Sequence, residues 1–285
     1  MPPLRVFHVS DLHFGRPAVP AHIAAVEARV ERERYDVVAV SGDLSQRARS
    51  GEFQRAAVFL RDAGRVSRTI VVPGNHDVRW WRAPLGLGRD DALYENYRAY
   101  IDPDLEPVLR VPAEGGRPGA TFVGLNTAQG VLAQTLTWNV RDISIIGHVR
   151  RSQIDRAAAE FGRSPAGDLR VIVMHHNPVK GELSQRHGLK DTRKVLGAFA
   201  EAGVDLVLCG HDHQEAVHAV GETKKGTVVS TAGTVSNRSR GGRPSSANAI
   251  AVTDDALEVT TLVWSPEARD FVPGHTRAFA RAGAR

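Results

Sequence analysis

The chain has 285 residues, 42% hydrophobic and 24% charged, a globular balance with enough apolar material for a sizeable core. No run approaches 18 apolar residues and Cys209 is the single cysteine, so neither a membrane-spanning helix nor an intrachain disulfide is expected. The net charge is +5, but the basic residues, only five of 37 of them lysines, are spread along the chain, so nucleic acid is not the expected partner.

The N-terminal "MPPLRVFHVSD" has no apolar signal core and runs straight into a strand-like segment, so a cytoplasmic location is expected. Residues 4–10 read as a buried strand, 20–34 as a helix, 36–42 as a strand, 51–64 as a helix and 68–74 as a third strand. This alternation argues for a parallel sheet with crossover helices. Residues 78–119 are less regular and suggest a small cap or an active-site wall, with a helix-like "DDALYENYRAYI". Strands are then expected at 121–127, 143–149, 169–176 and 204–213, with helices at 150–162 and 192–203. The segments "EAVHAVG", "GTVVSTAG", "ANAIAVTD" and "ALEVTTLVW" suggest one antiparallel run. The glycine-rich 236–246 has loop chemistry, and the tail after Trp264 is expected to be peripheral.

The chemistry gathers just after the apolar strands. Those positions carry Asp11 and His13; Asp43; Asn75, His76 and Asp77; His175 and His176; and His211, Asp212 and His213. Ligands of open α/β sheets bind outside the carboxyl ends of the strands, so residues scattered over 200 positions should converge. Imidazoles and carboxylates without a thiolate suit Zn, Mn or Fe. The donors outnumber the needs of one tetrahedral ion and fit two metals sharing a carboxylate, for which Asp43, alone on its strand end, is the candidate. Two close metal ions are the usual device for in-line displacement at phosphorus, with an activated water as nucleophile.

These residues resemble, in order and kind, the calcineurin-like metallophosphoesterase superfamily. The carrying motifs are "DLH" (11–13), "GD" (42–43), "GNHD" (74–77), "HH" (175–176) and "GHDH" (210–213). The resemblance covers roughly residues 4–235 and implies a four-layer α/β/β/α sandwich; residues 1–265 are expected to form the domain and 266–285, by composition, a peripheral tail. It implies that Asp11, His13 and His213 hold one metal, that Asp43 bridges, and that Asn75, His175 and His211 hold the other. His76 is implied to face the substrate, stabilising phosphoryl charge or protonating the leaving oxygen, with Asp77 orienting it. Either histidine of "VMHHNPV" could be the ligand; with His175 in that role, His176 lines the pocket.

By overall look the chain is most similar to bacterial cyclic-nucleotide and glycerophosphodiester phosphodiesterases, which implies a small-molecule phosphodiester substrate. Other superfamily activities remain open: UDP-diacylglucosamine hydrolysis, phosphomonoester hydrolysis, DNA exonuclease action, or a non-catalytic scaffold. The oligomeric state is open, a homodimer included. Trp80 and Trp81 could stack on a base, His187 could form a pocket wall, and Arg79 and Arg82 could contact a substrate phosphate. Arg238, Arg240 and Arg243 in the glycine-rich loop are expected to be solvated, with an anion-binding role as the alternative.

Overall fold

A computed structural model describes residues 1–79, 90–128, 146–185, 188–221 and 226–281. Trp80, Trp81, Arg82 and His187 lie outside these residues, as do residues 143–145 of the strand expected at 143–149; the described remainder is not a strand and makes only an isolated bridge from Gly147 to Leu189.

In chain order the elements are β1 (Leu4–Val9), α1 (Pro20–Glu33), β2 (Val37–Val40), α2 (Ser50–Ala63) and β3 (Arg68–Val71). There follow a 3-10 turn (Asn75–Asp77), the short helices α3 (Asp90–Leu93) and α4 (Glu95–Tyr100), β4 (Val108–Val111) and β5 (Ala120–Leu125). The second half contains α5 (Arg151–Gly162), β6 (Leu169–Met174), α6 (Thr192–Glu201), β7 (Leu206–Cys209), β8 (Ala216–Val220) and β9 (Thr227–Thr231). Three strands, β10 (Ser246–Val252), β11 (Ala256–Ser265) and β12 (Asp270–Ala280), complete the described chain.

These strands form two six-stranded sheets, ordered β12-β11-β10-β1-β2-β3 and β4-β5-β6-β7-β9-β8. Strand periodicity explains how both faces of each sheet are buried. In β1, Leu4 and Val6 face the other sheet, while Phe7 and Val9 face the helices. In β6, Val171 and Val173 face inward between the sheets, while Ile172 and Met174 face outward. The strands are therefore continuous apolar runs rather than alternating ones. Helices α1 and α2 cover one sheet through Val26, Val30, Phe53 and Phe59, and α5 and α6 cover the other through Phe161 and Phe199. The architecture is the expected four-layer α/β/β/α sandwich.

Local chemistry starts and stops the helices where the layers need them. Pro20 opens α1 at a position where its missing N–H costs nothing, and Ile23, Val26 and Val30 supply the buried stripe. The Glu52 carboxylate accepts from the Arg49 N–H at 3.3 Å and the Arg47 N–H at 2.8 Å, satisfying donors at the entry to α2. Among the described residues no helix is long and apolar enough to cross a membrane.

Two expectations are corrected. The C-terminal strands are not one antiparallel run: β8 and β9 join the second sheet, β10 and β11 the first, and β9 runs parallel to β7. Hydropathy shows that a segment is a strand but not which neighbour it pairs with. The tail after Trp264 is not peripheral, because β12 pairs along β11 and buries Phe271 completely. Phe271 packs against Trp264 at 5.5 Å between ring centroids, and also near His22. In the region expected as a cap or wall, α4 lies against α2 through Tyr97 and Phe53, and β4 adds the edge strand of the second sheet.

Phe271→Ala should lower unfolding free energy by about 3–5 kcal/mol, the usual cost of emptying a buried aromatic site. Urea unfolding of the variant checks this, and a loss below about 1 kcal/mol would show that the last strand contributes little to the fold.

Candidate metal centre

The carboxyl ends of β1, β2 and β3 in one sheet and of β6 and β7 in the other open onto a common cleft. The first sheet delivers Asp11, His13, Asp43, Asn75 and His76; the second delivers His175, His176, His211 and His213. The sheets are tied there directly, since His175 Nδ1 donates to the Ser41 carbonyl at 2.8 Å.

The turns that present these side chains are unusual. Asp11, His13, Asp43, His211 and His213 all have positive φ, between 46° and 73°. A left-handed backbone at residues other than glycine costs energy and persists only where its surroundings fix it. Here it turns each side chain back over the end of its own strand. Close approach matters as much: a Cβ on Gly74 would stand 2.1 Å from Asp43 Oδ1, so only glycine fits under the carboxylate.

Two clusters result. In the first, Asp11, His13, Asp43 and His213 bring their donor atoms within 4.8 Å of one another. His13 Nε2 faces His213 Nε2 at 3.1 Å, and His213 Nε2 is 3.0 Å from Asp11 Oδ1. In the second, His175, His176 and His211 bring their donor atoms within 4.8 Å of one another, and Asn75 Oδ1 lies 3.0 Å from His175 Nε2 and 3.1 Å from His211 Nδ1. Asp43 stands between the clusters, with Oδ2 3.8 Å from His13 Nε2 and Oδ1 3.4 Å from His175 Nε2.

The ring nitrogens that point away from the clusters fix the tautomers. His175 gives its Nδ1 proton to Ser41, and His213 gives its Nδ1 proton to the Arg238 carbonyl at 3.0 Å. Both Nε2 lone pairs are thereby aimed into the cleft, which is how protein metal ligands are oriented. Asp11 Oδ1 is buried without a hydrogen bond, and the Nε2 atoms of His13 and His213 stand 3.1 Å apart. This donor set fits divalent transition metal ions, which satisfy such atoms at once.

The electrostatics agree. Burial alone would raise the pKa of both carboxyls. The imidazoles outweigh it, led by His213 at Asp11 and by His175 at Asp43, and hold both below the ordinary carboxylate range. Burial opposes charge on His175, yet the Asp43 carboxylate carries its pKa up to about 9, so its Nε2 holds a proton that a bound cation would have to displace. His211 goes the other way, pushed down to about 3 by burial and by His175.

The other expected site residues divide. His175, not His176, is the histidine that meets Asp43 and Asn75. His176 shares a 2.7 Å hydrogen bond with Thr127 through Nδ1, leaves a buried Nε2 without a partner, and packs against the His211 ring. His76 lies at the mouth, where its Nδ1 donates to the Gln46 carbonyl at 2.9 Å and its ring meets His13 edge-on. Asp77 does not touch that ring. Its carboxylate accepts from the Gly74, Leu44 and Ser45 N–H groups at 2.9, 3.1 and 2.7 Å and from the Ser45 hydroxyl. It therefore pins the Asp43 turn to the Asn75 turn, while burial and then the Asp43 charge push it up to about 6. Arg79 faces away, bonded to Glu95 at 3.0 Å and to the Ala48 carbonyl, so it does not serve the cleft.

Arg238 is not solvated, the main expectation for it, but reaches the cleft, bonding Gln46 Oε1 at 3.1 Å and His76 Nε2 at 3.2 Å, a position compatible with the alternative of an anion role. Its loop follows β9, which runs parallel to β7, so the carboxyl ends of both strands open on the same side; that pairing carries no signal in the local sequence.

Comparison with known proteins agrees with this geometry. The calcineurin-like phosphoesterase signature matches residues 4–215. A glycerophosphodiester phosphodiesterase, GpdQ of Enterobacter lignolyticus, is 30% identical over 222 residues, covering 72% of this chain and 69% of its own. A probable cyclic nucleotide phosphodiesterase of Synechococcus is 25% identical over 232 residues, covering 77% of each chain. In structure, the purple acid phosphatase PPD1 of yellow lupin superposes with a TM-score of 0.66 at 11% identity, covering 98% of this chain and 54% of its own. With the signature spanning most of the chain and both clusters built from its motif residues, the protein belongs to the calcineurin-like phosphoesterase family.

Proposed function

We propose that the protein is a metal-dependent phosphodiesterase that hydrolyses a small-molecule phosphodiester with the help of two divalent transition metal ions. The observation that carries the reading is the position of Asp43, whose two oxygens turn toward different imidazole clusters. Asp11, His13 and His213 would hold one ion, Asn75, His175 and His211 the other, and Asp43 both. When bound, such ions supply Lewis acidity toward phosphoryl oxygens and lower the pKa of water. The phosphodiesterase names of two relatives support a diester over a monoester. Mn, Fe and Zn all suit the donor set.

The protein's own groups do the rest. His76 keeps its Nδ1 proton on the Gln46 carbonyl and its Nε2 accepts from Arg238 Nη1 at 3.2 Å, so Nε2 is the atom that can exchange a proton once the substrate takes the place of that contact. The turn hydrogen bonds of Asp77 hold Asn75 and Asp43 in register. The buried polar wall of Thr127 and His176 flanks the second cluster. No serine or cysteine nucleophile is required, and Cys209, fully buried and pushed up to about 12 by burial, is unsuited to be one.

Protein reconstituted with Mn should hydrolyse bis(p-nitrophenyl) phosphate faster than p-nitrophenyl phosphate and lose both activities with a chelator. Faster monoester turnover would move the assignment to a phosphomonoesterase, and chelator-resistant hydrolysis would remove the metal reading.

Asp43→Ala should lower bound metal from about two ions per chain toward one or none and reduce turnover at least ~100-fold, the scale expected when an essential charge stabiliser is lost. Metal analysis alongside kinetics decides; full metal content with full activity would reject the bridging role.

His76→Ala should keep its metals and lose about 10²- to 10⁴-fold in rate, the range for a missing general acid or base. Metal loss in that variant would instead place His76 among the ligands.

A further inference from the structure

The loop after β9 is built to deliver one guanidinium. Thr234 and Ser236 are fully buried beneath it. Thr234 Oγ1 donates to the Asp11 carbonyl at 2.8 Å and accepts from the Ser236 N–H at 3.0 Å. The Asn237 N–H reaches the Pro17 carbonyl at 3.0 Å, and the Arg238 N–H the Ser236 hydroxyl at 3.3 Å. Farther along, Arg243 is fastened to Glu182 and Glu215 at 2.8 and 3.3 Å. The Arg238 loop is thus tied on one side to the Asp11 turn and on the other, through Arg243, to Glu182 and Glu215.

Its side chain differs from that of its neighbour Arg243. Among the described residues Arg238 makes no ion pair with any carboxylate, although it is half-buried beside a centre rich in them. Its two contacts, to Gln46 and His76, both use Nη1. The remaining N–H groups, on Nε and Nη2, have no acceptor among the described residues. A permanently charged planar fork with free donors, held beside His76 at the mouth of the cleft, matches the oxygens of a phosphoryl group.

We infer that Arg238 is a substrate-binding residue that grips the negatively charged non-bridging phosphoryl oxygens of the substrate. The inference rests on the phosphoesterase reading and adds to it a cation supplied by the chain itself. It also separates two duties of one residue. The backbone carbonyl of Arg238 orients His213, whereas the side chain serves the anion. Replacing the side chain removes the second duty and leaves the first.

The test compares metal-loaded wild type with Arg238→Ala and Arg238→Lys. Metal content is measured alongside calorimetric binding of inorganic phosphate and kinetics on the diester. Arg238→Ala should keep its metal, bind phosphate about 10- to 100-fold more weakly, and lose kcat/KM by a similar factor, the scale of a charge-assisted hydrogen-bonded pair. Arg238→Lys should recover part of the loss. Added guanidinium ion should partly restore Arg238→Ala and leave the wild type unimproved, a response that a merely structural role would not give. Phosphate affinity unchanged in Arg238→Ala, with no rescue, overturns the assignment even in an active enzyme. So does a metal-loaded wild type that binds no phosphate. A wild type that binds phosphate through Arg238 but hydrolyses no ester defeats the phosphoesterase reading and leaves the anion site standing.

Discussion

A carboxylate buried where two sheets meet is the constraint that organises this molecule. Asp43 is 1% exposed, and ionised it is tolerable there only if positive charge and hydrogen-bond donors surround it. The surroundings comply in detail. The His76 N–H donates to Oδ1 at 2.8 Å, His175 stands 3.4 Å from the same oxygen, and His13 faces the other. To bring these donors in, the chain adopts left-handed backbone at Asp43 itself and glycine at position 74. Asp77, a second buried acid, then ties the two turns together through backbone N–H groups. The strain and the polar burial belong to one arrangement, and the large apolar interior between and outside the sheets supplies the stability that permits it.

Behind the clusters the inter-sheet space changes from apolar to polar. Toward the strand starts it is filled by Leu4, Val6, Val37 and Leu206. Toward the strand ends it holds His8, bonded to the Ser41 hydroxyl at 2.9 Å, and Asn248, bonded to the Ser230 hydroxyl at 2.9 Å. Burial pushes His8 down to about 3, so it is a neutral, hydrogen-bonding wedge rather than a charge. Ser41 serves both regions, its hydroxyl toward His8 and its carbonyl toward His175. The orientation of a cleft imidazole is therefore continuous with the packing beneath it.

The fold was legible in the sequence to the extent that it is governed by local pattern. Runs such as "DVVAV" and "LRVIVM" are apolar on both faces, which requires burial on both, and they became central strands of the two sheets. The cleft was legible because its residues sit at strand ends, a position that parallel topology converts into proximity. What could not be read was pairing. Whether β9 lies beside β7 or continues a meander depends on contacts far along the chain, and hydropathy is silent on that. The misplacement of the Arg238 loop followed directly, since a loop at the end of an antiparallel strand has no reason to face the cleft. Asp77 was assigned to the ring of its sequence neighbour, while its carboxylate went to the backbone of residues 44, 45 and 74, a choice set by the 3-10 turn. The edge strand β12 was hidden by its Arg, Pro and Gly content, which is tolerated because an edge needs partners on one side only.

The division of the cleft between the sheets has a consequence for folding. Asp11, His13, Asp43 and Asn75 come from one sheet, and His175, His211 and His213 from the other, with up to 200 residues between contacting partners. Neither half of the chain builds the whole centre: His213 completes the cluster of Asp11, His13 and Asp43, and Asn75 and Asp43 reach across to His175. A cation seated there acts as a rivet through both layers, and it can engage only after the sheets have docked. Its binding free energy is then added to the cohesion of the sandwich as a whole, so that metal supply and thermal tolerance become two readings of one equilibrium.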